Sequence, residues 1–157
     1  MSRQSSPLLS AQSVGLLLSP AAHAVTEGPI VWKVKGSVRD GHLIVRTALP
    51  QLEMGTLRMV VKTLAASEPC LQYLIGGAAV RRLCVNGAHP PYPGTHMHMI
   101  NPLKTEEDAY ESAEIPAVPL APRVAPGTYR AILEAFAGEC KIALGDDFVW
   151  VEPRRER

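Results

Sequence analysis

Apolar and polar residues alternate in short runs through most of this chain, and one stretch near its end repeats at helical spacing. Ile30 to Val38 and His42 to Leu49 read as two strands, because a period of two sends every second side chain to the same sheet face. Arg39-Asp40-Gly41 between them reads as a hairpin turn with Asp-Gly at its tip. Leu57 to Leu64 predicts a third strand, and Ala65 to Pro69 a loop. Cys70 to Ile75 and Val80 to Val85 are apolar runs split by Gly76-Gly77, as in a second hairpin or one bulged strand. Asn86-Gly87 signals a turn, and a Pro/Gly/His loop follows from Ala88 to Gly94. Thr95 to Ile100 alternates again and reads as a strand.

The polar, acidic residues 101–114 predict a surface loop, and Pro116, Pro119, Pro122 and Pro126 an extended connector. Ile132, Leu133 and Phe136 then recur at helical spacing, with Thr128 as the expected cap and Gly138 as the expected stop. Lys141 to Leu144 and Phe148 to Val151 read as a closing strand pair across Gly145-Asp146-Asp147. At the other end, Pro7 can open a short helix after Ser5-Ser6, burying Leu8, Leu9, Ala11 and Leu16, with Pro20 as its stop. Arg3, the leucines and Ala22-His23-Ala24 also resemble a weak secretory signal, but Ser10, Gln12 and Ser13 break its apolar run.

These elements predict an α+β fold: a mostly antiparallel sheet with a short N-terminal helix and one C-terminal helix. The 157 residues fit one domain, with 1–28 as helix and linker, 29–153 as β-rich core and 154–157 as a basic tail. Hydrophobic residues make up 46% and charged residues 20%, enough to build a core. A net charge of +1 excludes whole-chain attraction to nucleic acid or anionic membrane, and no apolar stretch approaches a membrane span. The expected location is the cytoplasm. Cys70, Cys84 and Cys140 form neither a disulfide framework nor a paired zinc motif and read as core thiols.

Candidate chemistry concentrates between Arg81 and Met99. Three of the five histidines, His89, His96 and His98, lie within ten residues. From Pro69 to Thr105 the only formal charges are Arg81, Arg82 and Lys104, so the segment carries +3 and suits an anionic ligand. On a strand His96 and His98 share one face, with Met97 and Met99 turned the other way into the core. Arg82 alternates with Cys84 and would join the histidine face if the two strands pair. His89 could fold over them from the loop.

Three chemistries are open to such a face. Paired neutral imidazoles ligate transition metals, with His89 as a third ligand. Two histidines can also serve as general base and general acid on a phosphodiester, with Arg82 steadying the phosphate and no metal needed. In that reading His96 and His98 transfer protons and His89 assists. Arg81, Asn86 and Lys104 contribute to substrate binding. The third possibility is a polar face that binds a protein partner or the backbone. His23, His42, Asp40 and Arg130 read as surface or turn residues.

The Arg82-Leu83 strand, Gly87-Ala88-His89 with the prolines that follow, Gly94 and His96-Met97-His98 together resemble an uncharacterised family of small bacterial proteins. Ala135-Phe136 to Cys140-Lys141-Ile142 stands where that family runs a late helix into a Cys-Asn-Ile-like end. The family follows its His-x-His with an aromatic and then Glu-Gly and Asp-x-Trp, which Met99 to Tyr110 lack. The resemblance implies no established activity. It places such proteins on mobile elements and near defence or toxin–antitoxin loci, which favours nucleic-acid chemistry. The leading expectation is therefore a metal-free phosphodiesterase of ribonuclease type acting on RNA, without a cofactor. The alternatives are a non-enzymatic module binding a protein partner, antitoxin-like or anti-defence, and a His-ligated protein holding a divalent transition metal.

Overall fold

A computed structural model describes residues 9–87, 94–99, 108–112 and 114–153. Seven strands lie in chain order as one antiparallel meander: β1 (Val25–Lys35), β2 (Val38–Arg46), β3 (Met54–Lys62), β4 (Ala65–Ile75), β5 (Ala78–Cys84), β6 (His96–Met99) and β7 (Asp108–Tyr110). Helix α1 (Ala11–Leu17) precedes the sheet, and α2 (Thr128–Glu139) follows it. The α+β fold, with a short early helix and one late helix, is as expected. No helix among the described residues is long and apolar enough to cross a membrane.

Register gives the sheet two unlike faces. Met59, Leu71, Leu83 and Met97 are consecutive partners across β3 to β6, and each is fully buried. Ile132, Leu133 and Phe136 of α2 join them in one core with Val14 and Leu17 of α1. One residue along, the partners are His42, Arg58, Gln72, Arg82 and His98; two further on, they are Asp40, Val60, Cys70, Cys84 and His96. A period of two puts both of these rows on the opposite face. The sheet is thus apolar on the helix side and polar on the other.

Several boundaries differ from expectation. The β1–β2 turn is Gly36-Ser37, where Gly36 takes φ +58°, and Asp40-Gly41 lies inside β2. Gly41 is needed there for another reason: a Cβ would stand 2.8 Å from the Trp32 ring. Ala65 to Pro69, expected as a loop, begins β4. Pro69 lies opposite the register shift between Val60 and Lys62, a place where a missing N–H is tolerated. Part of the acidic stretch forms β7, while residues 101–107 lie outside the described residues. The proline connector packs down through buried Ile115 and Val118.

Helix α1 is capped by Ser10, whose hydroxyl accepts from the Ser13 N–H; the expected start at Ser5-Ser6, Pro7 and Leu8 lies outside the described residues. It buries Val14 and Leu17, while Leu16 is exposed. Pro20 opens a single 3-10 turn. Gly127, not Thr128, caps α2, and Gly138 stays inside the helix. The stop is a Schellman motif on Lys141 (φ +60°): Ile142 N–H donates to Ala137 O and Lys141 N–H to Gly138 O. The expected closing strand pair does not form. Residues 141–151 run along the edge of β1 instead, through Thr26 N–H to Ala143 O and Ile30 N–H to Val149 O, with a parallel bridge at Val25 and Ala143. Covering that edge removes a row of open backbone groups.

Candidate functional site

The polar face becomes buried where β5 meets β6. His96 and His98 are 2% and 5% exposed. Their rings lie 4.6 Å apart at 63°, as i, i+2 geometry requires. Met97 faces the core as expected, but Met99, the last residue of β6, is exposed. Cys84 is the direct partner of His96, and Arg82 of His98. The expected placement of Arg82 beside the histidines therefore follows from register.

The added member is Cys84. Its Sγ and one ring nitrogen from each of His96 and His98 all lie within 4.8 Å of one another. His96 Nδ1 sits 2.9 Å from Gly94 O. A carbonyl can only accept, so Nδ1 is the donor in this contact. Holding the outer nitrogen on a backbone carbonyl is how proteins commonly present an imidazole to a metal. Cys70 completes the row on the far side of Cys84, with its Sγ 3.8 Å from Cys84 Sγ. Cys84 and then the positive charges of Lys62 and Arg82 hold the Cys70 thiol down to about 7, against the opposing effect of burial. Two of the three cysteines are thus not core thiols; Cys140 is, and burial pushes its thiol strongly up.

The remaining candidates separate. Arg81 projects from the opposite face, where Nη1 donates to Tyr110 Oη at 2.7 Å. Tyr110 Oη in turn donates to Glu139 Oε1 at 2.7 Å, tying β7 to α2. Burial and then that bond to Glu139 push the Tyr110 hydroxyl up to about 12. Asn86, at φ +55°, spends its side-chain N–H groups on Ser67 O (2.9 Å) and Val118 O (2.8 Å). That makes it a brace for the turn into the histidine segment. His89 and Lys104 lie outside the described residues.

Further along the same face, Arg58 grips Asp40 with Nε and Nη2 at 2.9 and 3.0 Å, and His42 Nε2 lies 2.9 Å from Asp40 Oδ1. Asp40 is neither a turn former nor a surface residue, being 4% exposed. Arg58, and less strongly His42, hold its carboxyl below the usual carboxylate range against burial. A cavity of about 620 Å³ lies elsewhere, between Arg39, Tyr129 and the Pro122–Pro126 segment, and none of the expected site residues lines it.

No protein-family model, curated protein or solved structure matches the chain.

Proposed function

We propose that this is a transition-metal-binding protein whose ligands are Cys84, His96 and His98. The observation that carries this reading is the convergence of one thiol and two imidazole nitrogens within 4.8 Å on adjacent strands. A thiolate with two imidazoles suits zinc or copper rather than magnesium or calcium, which favour oxygen. Two strands of one sheet hold the ligands, so little order has to be gained on binding. Three protein ligands leave a fourth position for water or substrate, and Arg82 beside His98 would favour an anion there.

The test is titration of the metal-free full chain with Co²⁺, followed by zinc competition against a chromogenic chelator. A thiolate-to-cobalt absorption band at one equivalent, absent in Cys84→Ser, is the expected result. Stoichiometric binding unaffected by Cys84→Ser and His98→Ala would overturn the assignment, as would no binding at all.

The pairing of Arg82 with His98 favours a second reading, in which His96 and His98 cleave a phosphodiester as acid and base. Their burial means that RNA would reach them only after the surrounding segments open. Incubation with end-labelled RNA, with and without EDTA, separates the two. EDTA-resistant cleavage lost in His98→Ala supports the acid–base pair.

A further inference from the structure

Cys84 is shared between two neighbours on one sheet face. On one side are the imidazoles of His96 and His98; on the other is Cys70, Sγ to Sγ 3.8 Å. Cys70 and Cys84 are direct partners in the β4–β5 ladder. Val85 N–H donates to Pro69 O, which makes Pro69 and Val85 a hydrogen-bonded pair. The adjacent pair, Cys70 and Cys84, is then a non-hydrogen-bonded one, in which Cα atoms approach to about 4.5 Å and side chains come closest. That separation falls within the span a disulfide bridges, about 4.4–6.8 Å. Cys70 is exposed and Cys84 is partly covered, so a reagent from solvent meets Cys70 first.

We propose that Cys70 and Cys84 are a reversible dithiol, oxidised by low-molecular-weight disulfides to a cross-strand disulfide that withdraws the Cys84 sulfur from the metal site. The Cys70 thiolate attacks one sulfur of the small disulfide, whose S–S bond breaks and releases one thiol. The Cys84 thiolate then attacks Cys70 Sγ and expels the second thiol. Two protein thiols are oxidised and one small disulfide is reduced, the two protein protons ending on the two released thiols. A sulfur in a disulfide carries no anionic charge and is no longer a thiolate ligand. The disulfide stands independently of the metal reading; its effect on metal rests on that reading.

The experiment equilibrates the reduced full chain in glutathione buffers of graded composition, traps free thiols by alkylation, and maps cross-linked peptides by mass spectrometry. The expected product has lost two hydrogens, joins the Cys70 and Cys84 peptides, and reverts with dithiothreitol; Cys70→Ser does not form it. In a second arm, zinc-loaded wild type and Cys70→Ser are exposed to glutathione disulfide while released zinc is read with a chelator. Wild type should lose zinc faster than Cys70→Ser, because only wild type can form the cross-link. A stable glutathione adduct on Cys70 without a cross-link overturns the dithiol. A cross-link that leaves zinc bound overturns the gating alone. A reduced wild-type protein that forms the cross-link but binds no zinc removes the metal reading and leaves the dithiol standing.

Discussion

His96 Nδ1 lies 2.9 Å from the carbonyl of Gly94, and one ring nitrogen of His96 lies within 4.8 Å of Cys84 Sγ. Two consequences can be measured. With Nδ1 donating to Gly94 O, zinc should shift the other ring nitrogen of His96 in nitrogen NMR and leave Nδ1 on the carbonyl. His96→Ala should weaken zinc binding by more than about tenfold, since it removes a direct ligand rather than an outer one. If His96→Ala keeps wild-type affinity, His96 is not a ligand.

Asp40 carries a different kind of consequence. It is 4% exposed and depends on two bonds from Arg58 and one contact with His42. Asp40→Asn removes the negative charge that Arg58 pairs with, which should cost about 2 kcal/mol of stability. The pH dependence has a definite sign. The folded carboxyl titrates below its ordinary value of 3.8, chiefly because Arg58 bonds to it. Its contribution is therefore complete above that value and is lost as pH falls through the lower, folded one. Denaturant melts of wild type and Asp40→Asn should differ at pH 6 and converge as the solution is acidified below about pH 4.

The alternation of His96, Met97 and His98 was enough to put both imidazoles on one face and Met97 in the core, because strand parity is a local property. Partners across strands are not local. Whether Cys84 or Arg82 faces His96 depends on where each strand begins, and a shift of one residue would turn every side chain over. Parity alone puts Cys84 on the face of Arg82, but only the register sets it opposite His96 and beside Cys70. The Asp40-Gly41 dipeptide misled for a related reason. It has the composition of a hairpin tip, but Gly36-Ser37 turns the chain and Gly41 makes room for Trp32, which sits across on β1. The C-terminal run could not be placed from its own pattern either, since its hydrogen bonds go to β1, more than a hundred residues earlier.

Tyr73 offers a test of the core itself. Its ring is fully buried, and its hydroxyl has no hydrogen-bond partner among the described residues. Burial also pushes that hydroxyl's titration well above the usual range. An unpaired buried hydroxyl carries a desolvation cost that phenylalanine avoids at nearly the same shape. Tyr73→Phe should be neutral or should stabilise the fold by up to about 1 kcal/mol. A loss of 2 kcal/mol or more in thermal or denaturant melts would mean that the hydroxyl is paired.

The three thiols should differ sharply in reactivity, and their order checks the sheet register without any metal. Only the thiolate attacks an alkylating reagent, so exposure and ease of deprotonation act together. Cys70 is exposed and titrates near 7, held there first by Cys84. Cys84 is partly covered. Cys140, the C-cap of α2, is fully buried, and burial raises its titration far above the normal thiol range. With the native, reduced, metal-free chain at pH 7.5 and limiting iodoacetamide, peptide mapping should find Cys70 modified first, Cys84 later, and Cys140 only on unfolding. Cys84→Ala removes the side-chain hydrogen bond that lowers Cys70, so Cys70 should then alkylate more slowly at that pH and its rate should climb only at higher pH. A Cys70 rate unchanged by Cys84→Ala would show that the Cys70–Cys84 pairing across β4 and β5 is not the arrangement in solution, and early labelling of Cys140 would show that its burial is not.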